Sequence, residues 1–85
     1  MIVDGLVYEI PKQDIKLHGA ISVGSIDVRI DGRQIKDLLV CRSTASAATV
    51  YYYGGTVIDG KKYNFEVVYN TNNNIQHATI KFNSL

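Results

Sequence analysis

The sequence predicts an all-β domain, a small antiparallel barrel or sandwich of about six strands, on three observations. Apolar and polar residues alternate through most of the 85 residues, the period-two signature of half-buried strands. Asp59-Gly60 marks a tight reversal with strand-like text on both sides. The C-terminal half divides into three such runs, a three-stranded meander.

A chain of 85 residues fits a single globular domain, 1–85, and folding at that length buries roughly 60–65% of the extended chain's surface. The 46% hydrophobic content, with six tyrosines and two phenylalanines, can supply one core, and 20% charge is too low for a disordered segment.

"LVYEI" sets Leu6, Tyr8 and Ile10 on one face and Val7 and Glu9 on the other; Pro11 then ends the run, because it cannot donate to a ladder. "DIKLHGAISV" groups Ile15, Leu17, Ile21 and Val23 against Lys16, His18 and Ser22, a second strand. Gly24-Ser25 breaks the parity, as a bulge or turn requires, and Ile26, Val28 and Ile30 resume it with Asp27 and Arg29 outside.

Residues 33–46 admit two readings. A hairpin around Asp31-Gly32 pairs Val28 with Ile35 and Asp27 with Lys36, but its register then sets Ile26 against Asp37. The alternative is an α+β fold with one helix near 33–46, in which Asp31 caps, Gln34 completes a capping-box-like spacing, and Ile35, Leu38 and Leu39 share a face. Val40, Cys41, Ser43 and Thr44 are mediocre helix formers and favour the strand.

Asp-Gly tolerates the positive φ that both central residues of a type I′ turn need. A two-residue loop at Asp59-Gly60 opposes Ile58 to Lys61, Val57 to Lys62, Thr56 to Tyr63, Gly54 to Phe65, Tyr52 to Val67 and Val50 to Tyr69. Val50, Tyr52, Tyr63, Phe65, Val67 and Tyr69 then make a core face. Of the three consecutive tyrosines, Tyr52 is expected inside and Tyr51 and Tyr53 outside, since neighbours on a strand point to opposite faces. "NTNNN" is a polar turn, and the last strand points Ala78, Ile80 and Phe82 inward with His77, Thr79 and Lys81 outward. Asp-Gly also recurs after Val3, Ile30 and Ile58, a weak hint of three ββ units that common turn usage explains as well.

One cysteine, Cys41, rules out an intramolecular disulfide and suits a reducing compartment, so the expected localisation is cytoplasmic. The first residues show neither a basic leader nor a long apolar stretch, and no window approaches the ~20 apolar residues of a membrane span. Nine basic and eight acidic residues, net +1, are scattered through the chain, which disfavours general duplex binding.

No catalytic or cofactor motif survives inspection. "GAISVGS" has the gap of a phosphate-binding loop but lacks the lysine and lies between strands. His18 and His77 have no second ligand at metal-like spacing, and Cys41 in "LLVC" reads as a buried thiol. Asp4, Asp31 and Asp59 precede glycines, where turn geometry explains them. No enzyme activity, metal or cofactor is expected.

The outward face of the long hairpin is the candidate contact surface: Tyr51, Tyr53, Val57 and Val68, flanked by Lys62 and Glu66. Each tyrosine can cover ~150–250 Å², and tyrosine is enriched at interface cores. Unless a second layer covers it, the face suits a non-catalytic protein-binding module or a homo-oligomer. A single-stranded nucleic-acid-binding barrel is the rival, with Tyr51 and Tyr53 as stacking platforms and Arg42, Lys62 and Lys81 near the backbone. The short, single-domain chain also suits an accessory or inhibitory protein of a mobile element, on size alone.

Overall fold

Among the described residues seven antiparallel strands form one sheet: β1 (Val7–Pro11), β2 (Ile15–His18), β3 (Ser25–Ile30), β4 (Arg33–Ser46), β5 (Thr49–Ile58), β6 (Lys61–Asn70) and β7 (His77–Ser84). The computed structural model describes residues 2–20, 23–46 and 48–85, with side chains described outside 41–45. Strand order is β1-β7-β6-β5-β4-β3-β2.

That order dictates the curl. β1 and β2 lie at opposite edges, yet only a 3₁₀ turn over Lys12–Asp14 separates them in the chain. Six inter-strand spacings in a flat sheet would hold the edges about 29 Å apart. Pro11 and Ile15 are four Cα steps apart and can span at most about 15 Å. The sheet therefore rolls into a half-barrel. Six antiparallel steps also give β1 and β2 the same direction, so residues 7–18 form one kinked stave whose halves pair with β7 and β3.

β4 provides the other bend. Its 14 residues pair with β3 at the N-terminal end and with β5 at the C-terminal end, and each ladder contains a one-residue shift. Such bulges bend a strand and increase its twist. The helix considered for residues 33–46 is not formed. The expected Ile26–Asp37 pairing is absent too: Val28 pairs with Ile35, but Ile26 pairs with Leu38, because Asp37 adopts φ 59° and is looped out. Leu38 and Ile26 are thereby both fully buried.

The concave face is the core. Ile10, Ile26, Val28, Ile30, Ile35, Leu38, Val40, Tyr52, Ile58, Tyr63, Phe65, Val67, Ala78, Ile80 and Phe82 make it up, with Tyr8, Ile15, Val50 and Tyr69 partly buried against it. The β5–β6 register matches the sequence expectation at all six pairs, and the C-terminal meander is present as β5-β6-β7. Asp31-Gly32 and Asp59-Gly60 both have positive φ at the two central positions, as type I′ turns demand. In the β6–β7 loop, Asn70 and Asn72 each accept the backbone N–H two residues on, at 2.8 and 2.9 Å, which gives the asparagine run a turn-forming role.

Two further expectations are corrected. The second strand stops at His18 and does not reach Val23, because Gly19 turns left-handed at φ 88°; Val23 is 81% exposed, while Ile21 and Ser22 lie outside the described residues. Gly24 then ends the loop where a Cβ would overlap the carbonyl oxygens of His18 and Ala20. Leu6 is exposed, since β1 starts one residue later and Val3–Leu6 closes a turn instead. Among the described residues no helix is long and apolar enough to cross a membrane.

Candidate functional site

Because the core lies on the concave side of a single sheet, the convex side has no covering layer of strand or helix among the described residues. Tyr51, Tyr53, Val57, Lys62, Glu66 and Val68 all lie there, on adjacent strands β5 and β6. Tyr52 is 4% exposed on the opposite side, while Tyr51 and Tyr53 are half-buried. Their rings pack with centroids 5.2 Å apart at 41°, within the range of favourable aromatic pairs.

Position 55 continues the outward row after Tyr51 and Tyr53, and it is a glycine. In register, Gly55 lies between Leu39 of β4 and Asn64 of β6, and Asn64 pairs with Asn83 of β7. The missing side chain leaves a trough across the strands. On one side is a depression of about 430 Å³ with Tyr51, Tyr53 and Glu66; on the other is one of about 580 Å³ with Lys36, Leu39, Val57, Lys62 and Leu85. Gly55 belongs to both. Leu39 is 60% and Val57 62% exposed, so the trough has apolar walls with charges at the rim.

The electrostatics of this face are mixed. Glu66 is the register partner of Tyr53 on one side and of Lys81 on the other. Burial, and then the neighbouring Glu66 carboxylate, push the Tyr51 phenol above its ordinary pKa, so at neutral pH it is a hydrogen-bond donor. Leu39, Gly55, Asn64 and Leu85 were missed from sequence. The Gly54-Gly55 doublet inside a strand was the available signal, since strand glycines often mark a close approach.

The residues weighed for chemistry are dispersed. His18 Nε2 lies 3.1 Å from Asp27 Oδ2, and Asp27 Oδ1 accepts the Asp37 backbone N–H at 3.0 Å. That backbone hydrogen bond, with His18 assisting, holds the Asp27 carboxyl below its usual range. His77 stands 3.8 Å from Glu9 on the β1–β7 pair. Asp4 accepts hydrogen bonds from the Ser84 N–H and hydroxyl at 2.5 and 3.0 Å, which lower its pKa, and Asp59 pairs with Arg33 at 2.7 Å. Among the described residues no three His, Cys, Asp or Glu side chains gather around a common point. The Cys41 and Arg42 side chains lie outside the description.

The fold thus defines a class of small domain, a single antiparallel sheet curled over its own core, with an outer face that carries a pair of aromatic rings. Comparison with protein-family models, curated proteins and solved structures found no match, so no role is carried over from a relative.

Proposed function

We propose that the chain is a non-catalytic binding module that contacts another protein, a second copy of itself included, through the outer face of the β5–β6 hairpin. The observation that carries this reading is the Tyr51–Tyr53 ring pair beside the Gly55-floored trough. Soluble monomers seldom leave a large contiguous apolar patch open. Aromatic side chains that pack in advance lose little entropy on docking, and a concave floor admits a partner's side chain.

Single-stranded nucleic acid is the less favoured ligand. A phosphate backbone tracking past the two rings would meet the Glu66 carboxylate, and the net charge of +1 supplies little attraction.

The test is the double variant Tyr51→Ser/Tyr53→Ser, compared with the wild type by light scattering and by differential capture of partners. The variant is expected to keep the fold, because both rings are outside the core, and to lose self-association or partner retention. Unchanged association in both assays refutes the proposal, and salt-sensitive binding of a labelled oligonucleotide by the wild type alone would move the assignment to nucleic acid.

A further inference from the structure

A second concavity lies on the inner face, at the end of the half-barrel opposite the Asp-Gly turns, and owes nothing to the outer surface. Its volume is about 180 Å³, and Lys12, Ile15, Leu17, Tyr52 and Tyr69 line it. An apolar cavity of about 150 Å³ accepts a benzene-sized molecule. One six-membered ring with a small substituent therefore fits, whereas drug-sized ligands occupy upward of about 300 Å³.

Ile15 and Leu17 face inward, opposite the buried Val28 and Ile26, yet Leu17 remains 40% exposed. An inward-facing leucine left in water marks the mouth. β2 ends one residue later, at His18.

The polar groups there are donors. The Tyr52 and Tyr69 hydroxyls are 3.1 Å apart, and their rings pack with centroids 5.8 Å apart. Two hydroxyls hold two protons, and a single hydrogen bond between them uses one. Among the described residues neither has another side-chain or backbone partner. Tyr52 is buried and Tyr69 half-buried, which makes Tyr69 the one that can turn its proton outward. Burial pushes the Tyr69 phenol up to about 12, so it stays a donor at neutral pH. The Lys12 ammonium lies 5.9 Å from the centre of the Tyr69 ring and donates to the Asn72 carbonyl at 3.2 Å, leaving further protons free. Among the described residues no carboxylate lines the cavity.

We propose that this mouth binds a small aromatic carboxylate, the ring seated between Ile15, Leu17 and the tyrosine rings and the carboxylate accepting hydrogen bonds from Tyr69 Oη and Lys12 Nζ. Apolar walls with an ammonium and a phenol hydroxyl among the lining residues disfavour cations and favour a planar anion.

Benzoate is the probe, titrated into ¹⁵N-labelled protein alongside benzyl alcohol and benzylamine. Benzoate is expected to shift the amides of residues 12, 15, 17, 52 and 69, with affinity falling from benzoate to benzyl alcohol to benzylamine. Tyr69→Phe should weaken benzoate about tenfold, the loss of a hydrogen bond to a charged group. Lys12→Gln should erase the preference for benzoate over benzyl alcohol, and Leu17→Trp should fill the mouth and abolish binding of both. Lys12→Gln leaves the core untouched, so it remains informative if the tryptophan variant fails to fold. Unmoved amides in folded wild-type protein at tens of millimolar benzoate overturn the site, as does benzylamine binding as tightly as benzoate or a charge preference that survives Lys12→Gln.

Discussion

The Asp27 carboxylate accepts a hydrogen bond at 3.0 Å from the backbone N–H of Asp37, the residue whose left-handed conformation shifts the β3–β4 register by one. Without that shift Ile26 would face Asp37, and Leu38 would turn to the solvent side. The bulge thus decides which β4 residues enter the core, and a carboxylate on β3 holds its backbone.

Asp27→Ala removes the acceptor from this bulge and is expected to destabilise the domain by about 1–2 kcal/mol, the cost of a lost hydrogen bond at a partly enclosed site. Asp37→Gly, which relieves a left-handed non-glycine residue, should be neutral or stabilising by up to about 1 kcal/mol, whereas Asp37→Val should cost about 1–2 kcal/mol. Urea denaturation measures all three, and equal effects of glycine and valine at 37 would contradict the backbone account.

Acid should weaken the fold through the same carboxylate. Asp27 and Asp4 both have folded-state pKa values below the ordinary 3.8, so the native state binds protons less readily than the unfolded chain. Their contribution is present above the unfolded value and is lost as pH falls through the lowered ones. Stability measured by denaturant midpoint should therefore be flat down to about pH 5 and decline below it. Asp27→Asn should make that decline shallower, and an unchanged slope would remove Asp27 from the explanation.

Gly55 gives a test of the outer face that spares the tyrosines. A Cβ there would meet only the Tyr63 carbonyl oxygen, at an ordinary 3.8 Å, and φ imposes no penalty. Gly55→Val should keep or raise the melting temperature, since valine suits a strand better than glycine. It should also block the trough and weaken partner capture. Full retention of binding would show that the trough is not the contact.

Phe65 and Phe82 are both fully buried, register partners on β6 and β7. Replacing either by alanine should cost about 3–5 kcal/mol, a large part of the ~5–15 kcal/mol that stabilises a typical domain. Thermal unfolding of Phe82→Ala near that of wild type would mean that the meander is not the centre of the core.

The β5–β6 hairpin was legible in full because its determinants are local. Asp-Gly sets the turn, the turn sets the register, and strict alternation then assigns Tyr52 inward and its two neighbours outward. The same logic placed the Ile26, Val28 and Ile30 face and the last strand. It overextended the second strand, since Gly19 ends the ladder by a conformation that alternation does not report. It also left residues 33–46 between strand and helix, because a bulge inserts a residue and destroys the period on which the reading depends.

Local chain chemistry, then, determined the strand text, the two Asp-Gly hairpins and the inside and outside of each regular ladder. Tertiary structure alone decided the rest. The β1–β7 and β2–β3 pairings oblige the sheet to curl, because three residues between Pro11 and Ile15 cannot bridge a flat one. That curl puts the whole core on one side, sets Tyr51 and Tyr53 on the other, and brings Lys12 beside Tyr69 from 57 positions away. A period of two tells which side chains share a face, but the curvature of that face comes from pairings between residues far apart in the chain.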